Sequence, residues 1–232
     1  MTTANDVYKN KLIGGMAGNL AAYWNEWSIK DSNFKDCFIP KNAKVFEVGS
    51  GNGQVCDYLI SLKNSVVGSD VSGSAFLEVS KRTTTLFVDI SEELVPFPDG
   101  WFDFVVCFEV LEHVTSPYHA IKEMKRICKT NGFIHISIPD YEQQVGYSSH
   151  RHAFVYPGLF VHDYFNIFLR QMYMKIVFEK KFVHRNTFTR SLDGTRQDPA
   201  QHWYYVCENT PTFKDIVEVV SGDFNESDLY NF

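Results

Sequence analysis

The stretch Val45-Phe46-Glu47-Val48-Gly49-Ser50-Gly51-Asn52-Gly53 runs residues of β-forming type straight into three glycines on alternate positions. The apolar part reads as a buried strand, and glycine accepts the positive φ of a tight turn and lets another group approach the backbone. Beyond it, Val55, Tyr58, Leu59 and Leu62 recur at helical spacing between Gln54 and Lys63. The glycines therefore lie between a strand and a helix, where an α/β sheet binds a nucleotide-like ligand at the carboxyl end of its first strand. A plain βα turn without a ligand has the same local pattern. The dinucleotide fingerprint asks for small residues at the first, third and sixth places, which here hold Gly49, Gly51 and Gln54, so the last departs from it. Glu47, two residues before the first glycine, would repel a pyrophosphate and suits a ligand with a positive group near the turn.

Further along, Val66 to Asp70 reads as a second strand that ends in an acid 19 residues beyond Gly51, close to the ~20 expected of a carboxylate that holds ribose hydroxyls. Val71 to Arg82 reads as a short helix, and Leu86-Phe87-Val88 as a third strand running into Asp89-Ile90. Asp89 also reads as a turn or helix-cap acid, because Ser91-Glu92-Glu93 follows. A turn, Pro96 to Asp103, leads into the strand Phe104 to Phe108 and then Glu109-Val110-Leu111-Glu112-His113-Val114. With the acid-x-Gly-x-Gly-x-Gly stretch, the string F-P-D-x-x-F-D-x-V-V and E-x-L-E-H-V, residues 44–140 resemble the class I S-adenosylmethionine-dependent methyltransferases, in the branch of the quinone-type and small-molecule enzymes.

The resemblance implies a doubly wound, Rossmann-like α/β fold with a seven-stranded sheet, mostly parallel with an antiparallel last strand. It also implies S-adenosylmethionine as cofactor. Carried over position by position, Glu47, Gly49, Ser50, Gly51 and Gly53 would line its methionine side, Asp70 with Val71 its ribose, Asp89 and Ile90 its adenine, and Phe108 and Glu109 its methionyl part.

Elsewhere the reading is coarser. Asn19 to Trp27 is helix-like, with Leu20, Tyr23, Trp24 and Trp27 on one face; it reads as a lid over the cofactor or as a helix packed on the sheet edge. Lys122 to Lys129 reads as the tail of a helix that stops at Thr130-Asn131-Gly132. Phe133 to Ile138 is a fifth strand, Phe160 to Met174 a helix, and Lys175 to Val183 and His202 to Cys207 strands six and seven. Thr212 to Val220 is a short helix-like stretch. A single domain is expected, divided into a helical lid (1–40), a cofactor half (41–140), a substrate half (141–208) and an acidic tail (209–232).

Composition limits the function classes. The 232 residues carry a net charge of −6, and no Lys/Arg run forms a phosphate-tracking stripe, which disfavours nucleic acid. Residues 113–206 are basic, with 12 Lys+Arg against 7 Asp+Glu, and suit a small anionic substrate. Five cysteines without a C-x-x-C pair read as reduced thiols. With no signal pattern and no apolar run of ~18 residues, a cytoplasmic protein off the membrane is expected. The 20 Phe suit a wide apolar pocket, extra core or a homo-oligomer interface.

Methyl transfer needs position and a suitable nucleophile, and a hydroxyl nucleophile benefits from a histidine base. His150 and His152 are the base candidates, in the loop after strand five with Arg151; His113, after strand four, is a third. Two His alone do not make a metal site, so none is expected. The acceptor expected is a sugar or nucleotide-linked sugar hydroxyl, with a small amine or a non-catalytic binding role as alternatives.

Overall fold

The computed structural model describes residues 16–140, 159, 161–190 and 197–211. Lys44–Val48 forms β1, buried at four of its five positions, as a strand covered on both faces requires. It pairs in parallel with β2 (Ser65–Asp70) on one side and β4 (Phe102–Phe108) on the other. With β3 (Thr84–Phe87), β5 (Cys128–Pro139), β6 (Met174–Arg190) and β7 (Gln197–Asn209), the sheet runs β3-β2-β1-β4-β5-β7-β6. The strand order reverses between β1 and β4, and a crevice opens at such a point because the connections leave in opposite directions. β7 is antiparallel to both β5 and β6, so the expected seven-stranded, mostly parallel sheet with an antiparallel last strand is what the chain forms.

Helices cover both faces. On one side lie α1 (Met16–Lys30), α2 (Gln54–Ser61) and α3 (Gly73–Val79); on the other lie α4 (Pro117–Ile127) and α5 (His162–Gln171). Two of the helix starts have a side-chain cap. Ser72 caps α3 by accepting from Ala75 N, and Ser116 caps α4 by accepting from His119 N with Pro117 in the first turn. Among the described residues no helix is long and apolar enough to cross a membrane.

The face of α1 expected from its spacing is core: Leu20, Tyr23, Trp24 and Trp27 are all buried, at about 1.5–3 kcal/mol of stabilisation for each large apolar side chain. They pack on Phe178, Phe182 and Tyr204 of the β6–β7 hairpin. Trp24 Nε1 donates to Tyr204 Oη at 2.7 Å, and Tyr204 Oη lies 2.6 Å from His135 Nδ1 on β5. Burial lowers the His135 pKa to about 3, so the ring is neutral.

Several boundaries differ from the sequence reading. The helix expected to run to Lys129 stops at Ile127, and Cys128 already pairs with Phe102. Asn209, far along the chain, donates its Nδ2 to the carbonyls of Lys125, Cys128 and Lys129, and so supplies the C-terminal cap that the local sequence was expected to give. Asn131 does take a positive φ, +63°, but within β5, where the pairing with β4 shifts register between Phe102 and Phe104. β6 and β7 extend well past Val183 and before His202, because each completes the other's hydrogen bonds up to the Arg190–Gln197 pair. The stretches 1–15 and 212–220 lie outside the described residues.

Tyr204→Phe removes the acceptor of Trp24 and the partner of His135 Nδ1 in a dry core. It is expected to destabilise the protein by about 2–4 kcal/mol, measured as a shift of the urea unfolding midpoint.

Candidate functional site

The turn after β1 is held from every side by backbone bonds. Ser50 N donates to Ser69 O at 2.8 Å and Gly53 N to Ser50 O at 2.7 Å. Gly49, Gly51 and Gly53 all have positive φ, +70°, +51° and +80°. Two of the glycines also leave room for protein rather than ligand. A Cβ on Gly49 would come within 2.3 Å of Val110 Cγ2, and one on Gly53 within 2.5 Å of Arg82 Nη2. Arg82 reaches that spot to donate to Asn52 O at 2.6 Å and to pair with Asp57. The glycine spacing thus records the conformation and packing of the turn.

Asp70 at the end of β2 is the second support. Its Oδ2 accepts from Gly51 N at 2.8 Å and its Oδ1 from Ser72 N at 2.8 Å. Burial nevertheless raises its pKa, against the lowering effect of those N–H bonds. Each oxygen keeps a further lone pair for a ligand hydroxyl. Val71, next in the chain, is half-buried. At the end of β3, Asp89 Oδ1 accepts from Ser91 N and Ser91 Oγ, at 2.9 and 2.6 Å, so this acid does serve the following turn, and Ile90 is buried in the core.

Glu47 is buried and points away from the α4 face. The Cys56 thiol bonds to its carboxylate, while Oε2 has no hydrogen-bond partner among the described residues. Burial first, then the charges of Asp70 and Asp57, push its pKa up to about 8. Ser50 Oγ beside it is likewise buried without a partner among the described residues. An unsatisfied buried carboxylate is costly, and its neighbourhood suits a cation that brings its own charge.

At the end of β4, Phe108 is buried and stacks on Tyr204 at 5.9 Å. Glu109 takes φ +58°, uncommon for a residue with a side chain. Its carboxylate reaches across the sheet: Oε1 accepts from Ser137 Oγ at 2.7 Å, and Oε2 lies 2.7 Å from His202 Nδ1. His113 sits on the short helical turn Leu111–His113, its Nε2 3.6 Å from Glu112 Oε1. Glu112 is buried, and burial followed by the charge of Glu109 raises its pKa well above the ordinary value.

The order of strands brings Glu47, the glycine turn, Asp70, Val71, Asp89, Ile90, Phe108 and Glu109 to the carboxyl ends of β1 to β4. His150 and His152 lie outside the described residues, as does Arg151. His162, near them in sequence, is occupied structurally: it stacks on Trp203 at 3.7 Å and lies 3.5 Å from Glu179 Oε2. No group of metal-binding side chains occurs among the described residues. Three residues near this end of the sheet were not singled out from sequence as site candidates: Ser137, His202 and Arg82. Only the hairpin register, which sets His202 opposite Pro139, brings His202 to Glu109.

Residues 46–136 match the family model described as a methyltransferase domain. Among relatives, the chain is 28% identical over 104 residues to the ubiquinone biosynthesis O-methyltransferase of Glaesserella parasuis, covering 40% of this chain and 44% of that protein. It is 28% identical to a probable S-adenosylmethionine-dependent methyltransferase of Mycobacterium tuberculosis over 41% of this chain and 35% of the relative. The matches to these curated relatives span 44% and 35% of those proteins' length, less than half. Among solved structures, an S-adenosylmethionine-dependent methyltransferase of Methanosarcina mazei aligns with TM-score 0.58 and 15% identity, over 76% of this chain and 96% of that one. The [4+2]-cyclase SpnF aligns with TM-score 0.59 and 13% identity, over 89% and 86%. These structural likenesses concern the fold.

Glu47 should cost stability wherever it is ionised in the unfolded chain and protonated in the folded one. With a folded pKa of about 8 against an ordinary 4.5, its stabilising effect is complete below 4.5 and is lost at up to about 1.4 kcal/mol per pH unit as pH rises toward 8. Glu47→Gln is therefore expected to be more stable than the parent at pH 8, with the difference shrinking toward pH 4.5 in urea titrations at both ends.

Proposed function

With residues 46–136 belonging to the class I S-adenosylmethionine-dependent methyltransferase family, we propose that this protein methylates a small molecule, with a hydroxyl oxygen as the favoured acceptor atom. The observation that carries the reading is Glu47: a buried carboxylate with an unpartnered Oε2 beside the glycine turn. S-adenosylmethionine fits it, since the cofactor has an ammonium and a sulfonium and no phosphate. When bound it supplies a methyl group on a sulfonium, which leaves as a neutral thioether.

The chain's own residues do the rest. Glu47 would compensate the ammonium and Asp70 would accept from ribose hydroxyls while holding Gly51 in place. Asp89 and Ile90 would border the adenine. The domain has little bond-making chemistry to perform at the donor, so its contribution is to fix the donor against the acceptor. An acceptor hydroxyl is supported by the name of the Glaesserella parasuis relative, an O-methyltransferase. A ring hydroxyl of the quinone-precursor kind therefore stands first, and a sugar hydroxyl, supported by the basic residues of 113–206, second. His150, His152 and His113 remain base candidates under this reading.

Two measurements test it. The first is calorimetric titration with S-adenosylhomocysteine in buffers of different ionisation enthalpy. At pH 7 the free Glu47 is mostly protonated, and pairing with an ammonium would ionise it, so nearly one proton should be released. Affinity should rise from pH 6 to 8 by up to about tenfold per unit, and Glu47→Gln should lose both effects. Asp70→Asn should weaken binding by about 10–100-fold, the value of one charge-assisted hydrogen bond. The second is transfer of labelled methyl to a panel of catechol, a nucleotide sugar and a primary amine. Transfer to catechol or the sugar supports the reading. Transfer to the amine alone moves it to N-methylation, and binding without any transfer makes the chain a cofactor-binding protein.

A further inference from the structure

The segment after β3 is tied to the start of α4 by side chains other than those expected to touch the donor. Asp89 Oδ1 accepts twice from one residue, from Ser91 N at 2.9 Å and from Ser91 Oγ at 2.6 Å. Ile90 O, the carbonyl of the same peptide unit as Ser91 N, lies 2.9 Å from His119 Nδ1 in the first turn of α4. A carbonyl only accepts, so here the ring nitrogen donates. The Ile90–Ser91 peptide is therefore held at both ends. Ser91 Oγ also lies 3.0 Å from Thr115 Oγ1, which donates to Glu92 Oε1 at 3.1 Å. Ile90 and Ser91 are buried and Asp89 is half-buried. Among the described residues no group donates to Asp89 Oδ2. The two carboxylate oxygens thus have unequal work: one belongs to the turn, and the other is left to accept from a ligand.

Resting on the placement of adenine beside Asp89 and Ile90 proposed above, we propose that Ser91 sets the base specificity of the cofactor site by committing Oδ1 of Asp89 to the turn and leaving Oδ2 as an acceptor for the exocyclic amino group. Ser91 acts through Asp89, so it is a positioning residue, and His119 and Thr115 of the α4 start hold it from behind. A 6-amino base donates to Oδ2. A 6-oxo base would set its carbonyl oxygen against the carboxylate, two acceptors with no proton between them. The arrangement has a further consequence for an amide at this position. In Asp89→Asn the Ser91 N–H requires the amide oxygen, because an N–H cannot bond to an NH2 donor. The amide nitrogen then stands where Oδ2 was and offers protons in place of lone pairs. The preferred base should pass from 6-amino to 6-oxo. An amide that Ser91 did not hold would turn its oxygen to the ligand and keep the original preference. The same bonds also shape the turn, but a purely structural role would weaken both kinds of ligand alike.

Calorimetric titration of the full chain with S-adenosylhomocysteine and with S-inosylhomocysteine, its 6-oxo counterpart, separates these cases. The parent should bind the 6-amino ligand about 100-fold or more tightly than the 6-oxo one. Asp89→Asn should bind the 6-oxo ligand the more tightly of the two. Ser91→Ala leaves only the backbone N–H on Oδ1 and should reduce the parent's preference about tenfold. An Asp89→Asn variant whose preference does not pass to the 6-oxo ligand overturns the proposal, as does a folded Ser91→Ala with undiminished preference. Asp89→Asn is isosteric and decides the matter even where Ser91→Ala does not fold. A parent that binds S-adenosylhomocysteine without preferring it to the 6-oxo ligand removes the adenine from Asp89 and overturns the proposal together with that placement. A parent that binds neither ligand overturns the methyltransferase reading itself, and that failure is seen without any variant.

Discussion

The bond from Gly51 N to the Asp70 carboxylate, 2.8 Å long, is the constraint on which the site depends. It ties the tip of a left-handed turn to the end of the neighbouring strand. Without it the three positive-φ glycines would have too many conformations to hold one shape, since glycine loses more freedom on ordering than any other residue. The parallel pairing of Val48 with Ser69 brings the two strand ends level, so the bond is a consequence of the sheet register. Asp70 is in this sense structural before it is functional, and a ligand hydroxyl would use lone pairs that the turn leaves over.

Charge is arranged around this turn against the interest of stability. Glu47 and Glu112 are both buried, and burial pushes both carboxyls toward the neutral form. Two apolar residues would pack there without that cost. The fold tolerates them because its two cores are large: Phe46, Val105, Ile121, Ile134 and Leu169 on one face, and Leu20, Trp24, Leu59, Val106 and Tyr204 on the other, are almost wholly excluded from water. The carboxyl ends of the strands are left to polar groups, and the crevice at the β1–β4 reversal is where they collect. The same scaffold in SpnF bears the name of a cyclase, so the architecture alone does not fix a reaction; the side chains at the strand ends do.

What the sequence by itself determined is local in cause. Alternation of strand and helix patterns, the run of acid and glycines from Glu47 to Gly53, and acids at the ends of the second and third strands follow from period, turn chemistry and spacing, all of which act within a few residues. They sufficed for the sheet class and for setting the residues expected to hold the donor at the strand ends, and Leu20, Tyr23, Trp24 and Trp27 were legible as one buried face. The tertiary structure decided whatever joins residues far apart in the chain. Asn209 ends the helix at Ile127, Val110 and Arg82 fill the spaces that Gly49 and Gly53 leave, and Tyr204 bolts α1 to β5. The Glu109–His202 pair belongs to this second kind. His202 read as the first residue of a strand because its partner is contributed through the register of an antiparallel hairpin, and register is set by the packing of whole faces, which no short stretch of sequence contains.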